Sequence, residues 1–259
     1  IKAGDLIIAV NKKNTADMEL QDVVSEIKKK ENKKVVLTIY RDKKSKDYTV
    51  KKSSVQIDTV SYKMKDKKTG YIAVSQFLEN TGDQFDKAVT ELEKKGMQSL
   101  IIDLRDNGGG FLNTCTQMVS RLIAKDKLIV YTKDKEGNKE EFKSDSDKTL
   151  NLPVVILVNN NTASASEIMT GCLKDYGKAT VVGTKTYGKG IVQNIMPLPD
   201  GSAIKFTIAK YYTPNGTDIH KKGIKPDVEV KISDAQWKKA QKDEKADIQL
   251  KKAMELLKN

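Results

Sequence analysis

Residues Val181 to Gln193 read VVGTKTYGKGIVQ. The opening residues close a strand signal, Thr180 to Val182, at Gly183. A turn-rich run follows in which Lys189 stands between Gly188 and Gly190, and Ile191 then opens a second β-rich run. Upstream, Val154 to Val158 (VVILV) is a buried-strand signal closed by Asn159 to Asn161. NTASASE, residues 161 to 167, then leads into a helical run from Ser166 to Tyr176. Further upstream, Leu100 to Leu104 (LIIDL) is another buried strand, followed by RDNGGG and by helical spacing over Cys115 to Ile123. Strands that alternate with helices predict an α/β core.

The pattern extends outward from there. Tyr71 to Phe77 (YIAVSQF) alternates like a strand, and Gly82 to Lys95 carries Phe85, Val89 and Leu92 at helical spacing. Residues 53 to 70 read as a lysine-rich connection, and 134 to 149 as a polar loop. Residues 1 to 52 form a unit of their own. It holds the apolar run AGDLIIAVN, a helix over Met18 to Lys30 with Leu20, Val23, Val24 and Ile27 on one face, a β-rich run over Val35 to Tyr40, and Tyr48 to Val50 continuing the sheet. Asp234 to Leu257 reads as one lysine-rich amphipathic helix carrying Trp237, Ile248, Leu250, Met254 and Leu257. The expected organisation is a unit at 1–52, a core at 53–233 and a helix at 234–259.

The 259 residues allow one large domain or two modest ones. Hydrophobic content of 38% with 32% charged residues describes a globular chain with a highly charged surface. No apolar run approaches the roughly 20 residues that span a bilayer. The opening, IKAGDLIIAVN, reads like the middle of a domain. Any export signal or anchor would lie in a preceding segment, and the protein is expected outside the cytoplasm, anchored to a membrane through such a segment. The net charge of +12 comes from dispersed lysines with no interleaved aromatic platform, so it reads as a solvated surface and no nucleic-acid partner is expected. Cys115 and Cys172 could pair, but one pair is not a disulfide framework, and their small or apolar neighbours read as ordinary buried thiols, neither of them a nucleophile.

The chemistry follows by residue type. His220 is the only histidine, and it lies in the polar, turn-rich TDIHKKGIKPD, a surface position. There is no HExxH and no paired-cysteine spacing, so no metal site is expected. A serine without histidine needs another base. A lysine can serve if desolvation brings it down from its ordinary value of about 10.4. Lys189, on a tight glycine-flanked backbone expected to be buried, is the best candidate, and Ser164 precedes it by 25 residues. Ser164 sits between a strand and a helix, where free N–H groups can receive an oxyanion. Ser164 or Ser166 can also cap that helix, with Glu167 favoured in its first turn. Gly108 to Gly110 allow close backbone approach to a ligand. GTKTYGKG, residues 183 to 190, nearly fits a phosphate-binding loop, but Gly190 replaces the Ser/Thr that holds magnesium and a strand follows, so no nucleotide or other cofactor is expected.

Three stretches in order, LIIDLRDNGGG, VNNNTASASEIMTGCLKDYGKATVVGTKTYGKGIVQ and DGSAIKFTIAKYYTPNGTDIHKKGIKPD, resemble the C-terminal processing peptidases, or tail-specific proteases. The likeness covers about residues 1 to 230. It implies a serine endopeptidase with a Ser-Lys dyad, cleaving proteins near their C-termini through an acyl-enzyme, on a core of repeated strand-helix units like that of the crotonases and Clp proteases. By position in the motifs, it implies Ser164 as nucleophile, Lys189 as base, Gln193 as the group that orients the lysine, and backbone N–H groups of Ala165 and of a glycine in the NGGG run, best Gly109, as the oxyanion hole. Residues 1–52, with their GD-I-xx-V-N pattern, resemble the second half of a PDZ domain, without the half that carries the carboxylate-binding loop. The implied partner is a protein or peptide with a free C-terminus, with a homodimer left open. The chain departs from the family at Gly108, where a proline is usual. A scaffold of the same fold with a dead site remains the rival from another class. Ser164, Lys189 and Gln193 standing together argue against it.

Overall fold

LIIDL and VVILV lie side by side at the centre of a sheet, as their unbroken burial requires. In the computed structural model, which describes residues 1–29, 33–53 and 56–258, β7 (Ser99–Asp103) pairs in parallel with β10 (Val154–Val158) on one side and with β6 (Thr69–Val74) on the other. β11 (Ala179–Gly183) and β14 (Val228–Glu229) continue the parallel order, and β5 (Val60–Met64) closes the far edge antiparallel to β6, giving the order β14-β11-β10-β7-β6-β5. Both faces are covered, so the central strands are apolar at most positions, the exceptions on β7 being the buried Ser99 and Asp103. Leu100, Ile102, Val154, Ile156 and Val158 pack against α2 (Thr81–Lys94), α3 (Leu112–Ser120) and α4 (Ala165–Asp175). Ile101, Val155, Leu157 and Val182 face the other way, against Leu250 and Ala253 of the C-terminal region. Because β7, β10 and β11 run parallel, the loops that leave their C-terminal ends emerge at one edge, where open α/β sheets carry their sites.

A second sheet, antiparallel, has the order β12-β13-β8-β9. It is built from β8 (Leu128–Lys133), β9 (Lys139–Lys143), β12 (Ile191–Pro197) and β13 (Ala203–Tyr212). β9 lies inside the stretch read as a polar loop. KEEFK shows little alternation, and it forms a strand because a turn holds it to β8, with Asp134 Oδ1 accepting the Asn138 N–H at 2.8 Å. Likewise β5 lies in the stretch read as a connection, where Val60, Tyr62 and Met64 turn their apolar sides to the core.

The C-terminal region is not one helix. It divides into α5 (Asp234–Lys242), a 3-10 turn at Glu244–Ala246 and α6 (Ile248–Leu256). Two aspartates interrupt it. Asp243 accepts from the Lys245 N–H, and Asp247 Oδ1 caps α6 by accepting from Gln249 and Leu250. Asp at an N-cap satisfies helix-end donors that would otherwise be orphaned.

Residues 1–57 form a separate unit, and residues from Asp58 onward the other. The first unit is an antiparallel sheet of order β2-β1-β3-β4, from β1 (Leu6–Val10), β2 (Lys13–Asn14), β3 (Lys34–Arg41) and β4 (Lys44–Lys51). Val23 and Ile27 of α1 (Leu20–Lys28) pack on its core of Val10, Val35, Leu37 and Ile39. Leu20, expected on that face, is 75% exposed. The end of the expected helix, at Lys30, lies outside the described residues. Among the described residues no helix is long and apolar enough to cross a membrane.

Candidate active site

Three loops meet at the C-terminal edge of the parallel strands, and polar contacts stitch them together. The loop after β10 delivers Ser164 to the start of α4 with φ 58° and ψ −119°. A non-glycine residue with positive φ is held there by its surroundings, here by the loop after β7. The Ala163 N–H and the buried Ser166 hydroxyl both donate to the Asn107 carbonyl, at 3.0 Å each. Thr162 Oγ1 donates to the Leu104 carbonyl at 2.8 Å. Gly109, at φ 96°, packs directly on the serine: a Cβ added there would lie 2.8 Å from Ser164 Cβ and 2.9 Å from the Ala165 nitrogen. Only glycine leaves room for that approach. Ser164 is half-buried and, with Glu167, forms a capping box at the start of α4.

Glu167 joins the serine to the lysine loop. Its side chain is fully buried. Oε2 accepts the N–H groups of Ser164 at 3.0 Å and Lys189 at 2.8 Å. Oε1 accepts from Thr186 Oγ1 at 2.6 Å and from the Gly188 N–H at 2.7 Å. Four donors to one carboxylate offset the cost of burying it. The spacing Ser164-x-x-Glu167 signals a helix start, and that is how Glu167 reads in sequence. Its second partner, the 186–189 loop, is invisible there, because the contact spans about twenty residues.

Lys189 differs from expectation. Its backbone is held, but the residue is exposed, and among the described residues its amine has no hydrogen bond or ion pair. The glycines hold the backbone of this loop tightly: Gly190 lies so close to the Ile219–His220 backbone that a Cβ would meet the His220 nitrogen at 2.4 Å. No hydrogen bond links Lys189 Nζ to Ser164 Oγ. Gln193 lies on β12 opposite Thr207 and is also exposed, without a side-chain bond. The structure therefore brings Ser164, Ala165 and Gly109 into contact, and ties the Lys189 backbone to them through Glu167. It leaves the lysine and glutamine side chains open to solvent.

The Ala165 N–H, first in its helix, has no backbone acceptor. The Gly109 N–H points instead to Asn107 Oδ1 at 2.9 Å. Of the three glycines, Gly108 and Gly110 keep N–H groups without such a bond.

His220 is half-buried rather than on the surface, with its backbone against Gly190. Its Nδ1 is buried without a partner among the described residues. His220 thus makes no side-chain bond to Ser164 or to the loops that hold it. His220→Ala is expected to keep peptide cleavage within about threefold of the parent, since an unsatisfied buried nitrogen contributes no stability worth losing. A loss beyond about 100-fold at unchanged melting temperature would instead make it part of the machinery. Cys115 and Cys172 are free and buried. Burial pushes both thiols up, Cys172 to about 12, which suits neither for nucleophilic work.

These features match a known group. The sequence pattern of peptidase family S41 covers residues 68–230, and the chain belongs to that family. It is 40% identical over 232 residues to a probable CtpA-like serine protease of Staphylococcus aureus strain N315, across 89% of this chain and 47% of that protein. It is 37% identical over 239 residues to the carboxy-terminal processing protease CtpB of Bacillus subtilis strain 168, across 90% of this chain and 50% of that protein. The chain thus spans about half the length of the curated relatives it matches. Among solved structures, the photosystem II D1 C-terminal processing protease superposes with a TM-score of 0.63 at 29% identity, across 89% of this chain and 64% of that one. The mixed α/β architecture is that of this family.

Proposed function

We propose that the chain is the catalytic portion of a serine endopeptidase that cleaves proteins near their C-termini through a Ser164–Lys189 dyad. One observation carries this reading. Ser164 is held at positive φ at a helix start, pressed against a glycine loop and tied by Glu167 to the loop of the one glycine-flanked lysine. The names of its relatives supply the substrate class.

In the proposed reaction a peptide carbonyl sits over Ser164, its oxygen facing the Ala165 N–H and a glycine N–H of residues 108–110. Neutral Lys189 takes the Ser164 proton as Oγ attacks. The lysine then gives that proton to the departing amine, the C–N bond breaks, and an acyl-enzyme remains until water releases it. Gln193 accepts a hydrogen bond from the lysine amine and fixes its direction without adding charge. The exposed lysine of the free protein suits this sequence. A peptide laid along the site strips water from the amine, and catalytic contacts that are loose in a free site close on substrate. Under the same reading, the core is crotonase- or Clp-like, and residues 1–52 are part of a PDZ-type domain that captures a tail by strand addition. The protein works outside the cytoplasm, anchored to a membrane.

A serine-reactive fluorophosphonate tests the assignment: label on Ser164 supports it, and label elsewhere removes it. Lys189→Arg tests the base. Guanidinium stays protonated in proteins, so this variant keeps the charge and is expected to lose at least about 1,000-fold in kcat/KM. An active arginine variant excludes lysine as the base.

A further inference from the structure

Two consecutive residues, Arg105 and Asp106, lie between β7 and the Asn107–Gly109 loop, and the last part of the chain grips both. Arg105 is buried, with Nη1 donating to Asp247 Oδ1 and Gln249 Oε1 at 3.0 Å each and Nη2 donating to Asp247 Oδ2 at 2.8 Å. Asp103 takes the remaining donors, Nε at 2.9 Å among them. These bonds fix the position of the guanidinium, and the Trp237 ring lies over it at 4.3 Å. The indole N–H then reaches past it to Asp106 Oδ2 at 2.8 Å. Asp106 sits at φ 59°, and its other oxygen, Oδ1, accepts Nδ2 of Asn159 and Nδ2 of Asn161 at 2.8 Å each. Its own N–H donates to Asn159 Oδ1 at 3.0 Å. Asp106 therefore joins three segments: the glycine loop that follows it, the loop that delivers Ser164, and α5.

What holds α5 in place is narrow. Ala240 is its only buried residue, and Trp237 is its one large apolar side chain. Beneath it is a cavity of about 540 Å³, lined by Tyr71, Asp103, Arg105, Trp237 and Asp247 among others, where a packed helix would leave none. The attachment of α5 thus rests on the indole, and the indole bonds to the residue that spaces the two catalytic loops. Burial works against the Asp106 carboxylate, yet the bonds from Asn161, Asn159 and Trp237 hold its carboxyl below the usual range, so it stays a charged acceptor.

We propose that Trp237 and Asp106 are positioning residues, through which α5 holds the glycine loop's oxyanion donors in register with Ser164. This rests on the serine reading above. The donors act where charge develops in the transition state, so a loop displaced by part of an ångström lowers turnover and spares substrate binding.

The test uses the full chain, a quenched-fluorescence peptide with a free apolar C-terminus, and a peptide aldehyde that forms a tetrahedral adduct on the serine. Trp237→Phe keeps the ring over Arg105 and deletes the N–H. Asp106→Asn keeps an oxygen for Asn159 and Asn161 and turns an amide donor toward the indole. Each is expected to lower kcat by about five- to twentyfold with KM within about twofold, and to weaken the aldehyde by the same factor as kcat/KM. The double variant is expected to be no slower than the worse single one, since both delete the same bond. The proposal is overturned if both single variants keep kcat within twofold, if KM carries the loss, or if the two losses multiply. Should Trp237→Phe lower the melting temperature by more than about 5 °C, Asp106→Asn decides. Ser164→Ala is run beside them. If it is inactive while both variants turn over normally, only this inference fails; if it cleaves like the parent, the serine reading fails and takes the inference with it.

Discussion

Ser164→Ala is expected to abolish peptide cleavage, with kcat falling by at least about 10⁴-fold, while the melting temperature stays within about 2 °C of the parent. The two halves of this result have different origins. The hydroxyl is one half of a capping box, but the Glu167 N–H it faces also donates to the Ser164 carbonyl at 2.8 Å, so deleting it strands no donor. The bonds that hold this position belong to the backbone: the Ser164 N–H to Glu167 Oε2, and the Ala163 N–H to the Asn107 carbonyl. Alanine keeps both and inherits the same dihedral strain. What remains after substitution is the donor set around an empty attack position, worth a small residue of catalysis. Ser166→Ala is the control. Its buried hydroxyl donates to Asn107, so its removal should cost about 1 kcal/mol of stability and only part of the activity. Thermal melts and cleavage of a fluorescent peptide check both. Parent-like cleavage by purified Ser164→Ala would remove the assignment.

Glu167→Gln is expected to cost both stability and activity, although it changes one atom and no volume. Each carboxylate oxygen accepts two donors. An amide has one accepting oxygen. If that oxygen faces Thr186 and Gly188, the NH₂ group meets the N–H groups of Ser164 and Lys189; in the flipped rotamer it meets the other pair. At least one buried N–H is left unpaired in either case, at about 1–3 kcal/mol each. A loss of about 2–5 kcal/mol follows, or roughly 5–15 °C in melting temperature for a unit of this size. Activity should fall by more than about 100-fold at temperatures where the fold persists, because the bonds lost are the ones that place the Lys189 loop beside Ser164. An active, stable glutamine variant would show that the two loops hold their spacing without the charge.

How much of this was legible in the sequence depends on the reach of each signal. The central strands were, because VVILV throughout and LIIDL apart from Asp103 are apolar on both faces and must be covered on both sides. The positions of Ser164 and Lys189 were too, one at a strand-to-helix junction and the other between glycines. β9 was not, because KEEFK alternates poorly and is a strand only through its partner. The C-terminal helix was misread as continuous because apolar spacing survives across Asp243 and Asp247, whose capping role is a matter of backbone angles. Glu167 was seen as a cap and not as a bridge, and Asp106 was seen only as part of a loop. Their partners lie about twenty, fifty and more than a hundred residues away, beyond any local pattern. The exposure of Lys189 was missed for a related reason: flanking glycines indicate a tight backbone and say nothing about what covers the side chain.

The positive φ of Ser164 also limits which nucleophiles this scaffold can host. A residue in that region pays for its Cβ, and a β-branched one pays more, because a second substituent on Cβ crowds the neighbouring peptide units. Cysteine has the shape of serine and enters the position at the same backbone cost. Threonine brings the same hydroxyl with an added methyl, at a site where Gly109 already packs on the serine Cβ. Exchange between hydroxyl and thiol chemistry is therefore open to this backbone, whereas exchange between the two natural alcohols is closed, an asymmetry set by a dihedral angle and not by reactivity.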